Sequence, residues 1–95
     1  MKLLSIVPSE KPDKKMKAMF EVNGRARTIH FGQRKAPDYT ITKDKDQRER
    51  YLTRHRARED WNDPLTAGSL SRWILWGDST NIHTNIAQFK KKFNL

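Results

Sequence analysis

Arg50, Arg54 and Arg58 recur at every fourth residue along the stretch RYLTRHRARE. On a helix that spacing sets three guanidinium groups about one turn apart, where they can project together. Such a row can neutralise successive phosphates, because each planar guanidinium offers a bidentate, charge-assisted fork to a pair of anionic oxygens. The plainer alternative is a solvated helix face, on which Asp46 pairs with Arg50 one turn later while Arg54 and Arg58 meet only water. Tyr51, Leu52 and His55 fall on the other side of the same helix and are expected to shape it rather than to react. Further positive charge lies at Arg34 and Lys35 in a loop, at Lys43 and Lys45 before the helix, and at Lys90, Lys91 and Lys92 near the end. Brought to one face, these side chains would form an electrostatic footprint that positions a phosphate backbone rather than a code that reads bases. FKKKF also has a simple helical explanation. Phe89 and Phe93 point inward one turn apart, and the lysines between them meet water and favour the helix C-terminus.

Other chemistries are poorly served. His30, His55 and His83 sit on three separate segments with no HxxxH or HExxH spacing, so a metal site would need all three to converge through the tertiary fold. His55 reads better as a half-buried group hydrogen-bonded to a carboxylate or the backbone. Ser69, Ser71 and Ser79 are not set in a GxSxG elbow, and TAGSLS reads as a tight loop or helix start in which Gly68 permits close packing. Asp38-Tyr39-Thr40 suits an Asx-type turn, and Asp60 and Asp63 are placed to pair with nearby arginines. With no phosphate-cradling glycine loop and no persuasive carboxylate pair, the pattern points away from an enzyme, and no cofactor is implied. Trp73 and Trp76 are expected in the core or an interface, although an exposed indole would be able to stack on a single-stranded base.

The whole composition agrees with an anionic partner. The chain has 95 residues and a formal charge of +9, from 20 Lys and Arg against 11 Asp and Glu. That excess favours nucleic acid first, then an acidic protein surface or a membrane, over incidental attraction to polyanions. Without cysteine there is no disulfide framework, thiolate nucleophile or thiolate zinc site, which fits a reducing interior. In MKLLSIVPSEKPD the apolar run is cut by Pro8 and the polar Ser9-Glu10 before a signal-peptide core or a membrane span is complete. The segment is read as a strand of a non-secreted protein.

These side chains need a scaffold, and one domain is the expectation for this length. LLSIV is strand-like. In MKAMFEVNGRARTIHFG, Asn23-Gly24 lies between two alternating runs and suits the positive-φ pair of a tight hairpin turn. A two-residue turn sets Val22 opposite Arg25, Phe20 opposite Arg27, Ala18 opposite Ile29 and Met16 opposite Phe31. One face then carries the apolar side chains, with Arg25 and Arg27 reaching out at the turn end. YTIT reads as a short extended segment. A helix is expected from about 44 to 61, stopping before Asp63-Pro64, with Pro64 suited to the first turn of the next helix. That helix would end at Gly77, and after DST as a cap Ile82, Ile86, Phe89 and Phe93 form the stripe of a last helix. Strands first and helices second make a single α+β domain, a small antiparallel sheet with a β-hairpin packed against about three helices.

The strings HFG, DYT, RHRAREDWNDPLTAGSLSRWILWG and FKKKF resemble a small family of uncharacterised proteins of large nucleocytoplasmic DNA viruses that infect algae and protists, with relatives in some algae. The resemblance spans roughly residues 14 to 93 and implies a viral source, with a place in the virion or the host-cell interior. A virus with a large genome offers a basic protein two roles. One is a DNA-associated protein that neutralises or organises the genome, contacting double-stranded DNA through phosphates with Arg50, Arg54 and Arg58, helped by Arg34, Lys35, Lys43 and Lys45. The other is a minor capsid or structural protein whose basic face meets an acidic partner, with Trp73, Trp76 or the LLSIV edge supplying apolar contact. Non-enzymatic DNA binding is the preferred expectation.

Overall fold

A computed structural model describes residues 1–95. Three antiparallel strands, β1 (Lys2–Pro8), β2 (Lys14–Val22) and β3 (Arg25–Gln33), pair in the order β1-β2-β3. Asn23 and Gly24, with φ of 53° and 77°, lie between the paired residues Val22 and Arg25. The pairing continues through Phe20 with Arg27, Ala18 with Ile29 and Met16 with Phe31. Ala18, Phe20 and Phe31 are therefore buried on one face, while Arg25 and Arg27 are exposed. β1 joins the other side of β2 with an irregularity between Leu3 and Ser5. The extra residue, Leu4, lets Leu3 and Ile6 both pack against the core, where an uninterrupted strand would send residues three apart to opposite faces.

Helices cover that face, so the protein is a small α+β fold. They are α1 (Tyr39–Thr42), α2 (Lys45–Arg56), α3 (Ala67–Leu70) continuing as one π turn (Ser71–Leu75), and α4 (Ile82–Lys92). Tyr51 and Leu52 of α2, Leu70, Ile74 and Leu75 of the α3 segment, and Phe89 of α4 close the core with Tyr39 and Trp76. No helix is long and apolar enough to cross a membrane.

Local chemistry moved several boundaries from their expected places. YTIT is one helical turn rather than extended, because the Asp38 carboxylate caps it by accepting from Thr40 N at 2.9 Å and from the Thr40 hydroxyl. α2 stops at Arg56, not near 61. The amides of Arg58 and Glu59 both fall back on the His55 carbonyl, at 3.1 and 3.2 Å. Asp60 and Asp63 do not pair with arginines; they close Asx turns, accepting from Asn62 N and Leu65 N, each at 2.9 Å. The next helix starts at Ala67 under a Thr66 cap, leaving Pro64 in the turn before it. The cap of α4 is Asn81, whose side-chain oxygen accepts from His83 N and Thr84 N, while Asp78 is turned toward Arg48.

The π turn survives because distant side chains satisfy the backbone around it. Arg48 donates through Nε to the carbonyls of Trp76 and Gly77, at 3.2 and 3.0 Å, and through Nη2 to Asp78 at 2.9 Å. Fully buried Asn85 donates to the carbonyls of Ile74 and Ser79, at 2.9 and 2.7 Å, and accepts from Ser79 N at 3.0 Å. These contacts hold the segment that forms the floor of a cleft between the hairpin and α2.

Candidate nucleic-acid interface

Arg50 and Arg54 lie one turn apart on α2, both exposed and neither in an ion pair nor in a side-chain hydrogen bond. The pairing of Asp46 with Arg50 does not form. Arg58 is also exposed and unpaired, but it follows the helix in a turn, so helical spacing no longer fixes its direction. Lys45 precedes Arg50 by five residues, which carries it roughly 140° round the helix from the arginine side. Lys43 is the left-handed cap of α1 at φ 57°, exposed and free of carboxylate partners. Arg34 is held by the fold, since its Nη2 donates to the carbonyls of Ser9 and Lys11, at 2.7 and 2.8 Å, and fastens the β1–β2 loop. Lys35 is exposed beside it, and with Lys14 the two line an open hollow of about 520 Å³. The Lys90–Lys92 run is on the exposed side of α4, with Lys92 resting over Trp73 at 4.5 Å.

Next to that hollow, sharing Lys14, Gln33 and Ala36 with it, is the cleft, of about 410 Å³. One wall is the open end of the hairpin with Lys14, Lys15 and Gly32; the other is the α2 face bearing Gln47, Tyr51, Arg54 and His55. Ser71, Leu75 and Trp76 close the floor, with Glu59 and Gly68 at its far side. Two glycines allow the walls to meet. A Cβ on Gly32, whose φ is 77°, would lie 2.6 Å from Leu75 Cδ1, and one on Gly68 would lie 2.8 Å from the Glu59 carboxyl carbon. Trp76, Tyr51 and His55 stack in a column, with both ring separations 4.1 Å and interplanar angles of 6° and 23°.

The donors and acceptors of the cleft are unevenly engaged. Asp38, almost fully buried, receives Lys15 Nζ as well as the two Thr40 donors. Glu59 receives His55 Nδ1 at 3.1 Å and the Trp61 indole nitrogen at 2.9 Å. Both carboxylates are thus occupied by the protein itself. By contrast, Lys14 Nζ, the Arg54 guanidinium and the Ser71 hydroxyl have no protein partner. Burial, reinforced by the Glu59 charge, pushes the Tyr51 phenol well above its ordinary range, so it remains a neutral O–H. What the cleft presents unpaired to a visitor is therefore two cations and two hydroxyls, beside carboxylates that are already hydrogen-bonded.

His30, His55 and His83 stay on β3, α2 and α4, and no group of three or more His, Cys, Asp or Glu side chains is placed to hold a metal ion. His30 instead meets the Ser9 hydroxyl through Nδ1 at 2.7 Å. Trp76 is buried and Trp73 is half-buried between Arg72, at 4.2 Å, and Lys92, so neither indole offers a free face like that expected of a stacking platform. Lys14, Lys15, Glu59 and Ser71 went unrecognised as site residues because only the tertiary fold brings them to Arg54. The Asx turn at Asp38 was a local signal for the cap, but not for the ion pair with Lys15, which comes from another element.

The chain belongs to a family of unknown function, DUF5754, whose model matches residues 4–55. That segment runs from β1 almost to the end of α2 and contains Lys14, Lys15, Asp38 and Arg54. No curated protein and no solved structure matches the chain.

Proposed function

We propose that the protein binds nucleic acid without catalysing a reaction, favouring double-stranded DNA and acting mainly through phosphates. One observation carries this: of the 20 Lys and Arg, only Lys15, Lys17 and Arg48 pair with a carboxylate. Of the others, all but Lys14 and Arg72 are exposed, and Arg50 and Arg54 project such unpaired charge from one side of a helix. Arg58, Lys43 and Lys35 extend the contact, Arg34 contributes what its loop leaves free, and Lys45 meets the backbone only at the edge of the footprint. The engaged state of Asp38 and Glu59 favours binding over catalysis, since neither is left to act as a base. In the viral setting implied by the resemblance, such a protein would neutralise or organise packaged genome, inside the virion or the infected cell.

A protein-contact role has its own observation. β1 is an edge strand, and Leu4 and Val7 are large apolar residues exposed along it, at 52% and 38%, with Met1 just before it at 54%. A minor structural protein of a capsid would use such an edge. Anisotropy of a labelled DNA duplex over a series of salt concentrations separates the two. Genome association predicts tight binding at physiological salt with a log-log slope of about −3 or steeper. Absence of binding there, in a protein that instead assembles with an acidic partner, would replace DNA binding with the structural role.

A further inference from the structure

We propose that the cleft between the hairpin and α2 is a pocket for a phosphate monoester of mononucleotide size, taken either from the end of a nucleic-acid strand or from a free nucleotide. The duplex contacts of Arg50 and its neighbours lie along the exposed side of α2 and need no cavity. The cleft is a concave feature that shares Arg54 with that side, whereas Lys14, Tyr51 and Ser71 in its lining take no part in the duplex contact.

Three properties point to this ligand. Lys14 approaches from the hairpin wall and Arg54 from the α2 wall, so their unpaired charges can converge on one group from two sides. A terminal phosphate carries three unbridged oxygens and up to two negative charges, which suits convergent donors better than a diester with two oxygens and one charge. Ser71 Oγ and the neutral Tyr51 hydroxyl are further donors in the lining, and neither is claimed by another side chain. Of the two carboxylates, Asp38 is paired with Lys15 and Glu59 is hydrogen-bonded to His55 and Trp61, which leaves Lys14 and Arg54 as the unpaired charges of the cleft. Finally, a volume of about 410 Å³ exceeds what a bare phosphate fills and falls within the range of small-molecule sites. The Trp76–Tyr51–His55 column and Leu75 supply an apolar wall for a sugar and base.

The test uses adenosine 5′-monophosphate and adenosine as probes, titrated into the full chain and followed by amide NMR and calorimetry. A second pair of probes is a short single strand with and without a 5′-phosphate. Adenosine 5′-monophosphate should bind about tenfold or more tightly than adenosine and shift the amides of Gly32, Gly68 and Ser71. Lys14→Gln and Arg54→Gln should each remove most of that preference, while Arg25→Gln, at the turn end of the hairpin and outside the cleft, should retain it. The same spectra report whether each variant is folded, and all three positions are only half-buried or exposed. A 5′-phosphorylated strand that binds more tightly than both its hydroxyl form and the free nucleotide would assign the pocket to strand ends; equal affinity for strand and nucleotide would assign it to free nucleotides. Equal binding of adenosine and its monophosphate, or no binding of either at millimolar concentration, would overturn the proposal. Duplex binding that depends on Arg50 and Arg58 would persist through that failure, so the two ideas fall separately.

Discussion

Replacing Arg50, Arg54 and Arg58 together with Gln removes three positive charges that make no ion pair or side-chain hydrogen bond within the protein. Stability should therefore change by less than about 0.5 kcal/mol per substitution, and the circular dichroism spectrum should be unaltered. Binding should change in a defined way. Each phosphate neutralised contributes about 0.9 to the log-log salt slope, so the triple variant should be shallower than the parent by about 2.7. Over a fourfold rise in salt, from about 50 to about 200 mM, the parent should lose roughly fortyfold more affinity than the variant. The effect should be the same on duplexes of unrelated sequence, since phosphates carry no sequence information. Arg58 refines the expectation, because it lies beyond the last residue of α2. The pair Arg50→Gln and Arg54→Gln should account for about 1.8 of the change, and Arg58→Gln should add about 0.9 only where its turn keeps it on the same side. Anisotropy titrations at five or so salt concentrations resolve these differences. A triple variant with the parent's slope would show that α2 is the wrong surface.

Three further outcomes test the fold that supports the site. Asn85→Ala leaves the Ile74 and Ser79 carbonyls and the Ser79 amide without their partner; it should cost about 3 kcal/mol and lower Tm by roughly 12–24 °C in a calorimetric scan. Gly32→Ala combines a strained positive φ with a collision against Leu75 Cδ1, so a loss of about 1–3 kcal/mol is expected from urea unfolding, less than additive with Leu75→Val. For Tyr51, burial raises the folded phenol above its ordinary 10.0, so the unfolded chain releases its proton first. The stability linked to that proton is intact below pH about 10 and is lost as pH climbs toward the folded value. Tyr51→Phe keeps the aromatic column and should flatten the fall in stability that begins above pH about 10, and an unchanged fall would exclude this linkage.

How much could be read from the chain depended on where each residue finds its partner. The β2–β3 pairing was legible because alternation of Met16, Ala18, Phe20 and Val22 against Ile29 and Phe31 admits one register with a buried face. The Ile82, Ile86, Phe89 and Phe93 stripe was legible for the same reason at helical period. The end of α2 was not, since nothing near Arg56 in sequence resembles a stop. Glu59 instead turns back to His55 and forward to Trp61, against a glycine at position 68 that leaves space for its carboxylate. The π turn was equally hidden, because the groups that satisfy it, Arg48 and Asn85, come from α2 and α4. The cleft combines these illegible features: an Asp38 cap facing a strand lysine, a helix that ends early, and a floor held by distant donors.

The arginines of α2 also explain why so basic a stretch does not act as a single unit. Arg48 is turned inward, spread over two carbonyls and Asp78, and its ring neighbour is Tyr39 at 5.5 Å. Two residues later Arg50 is free, and one turn beyond it Arg54 stands at the cleft. Charge in the first position closes the fold, whereas in the other two it adds self-repulsion without adding contacts. A chain in which only 35% of residues are hydrophobic has little stability to spare for such repulsion. On the proposed reading an anionic ligand would relieve it at the residues the fold leaves unpaired, so the free arginines of α2, rather than total basicity, are where binding is to be tested.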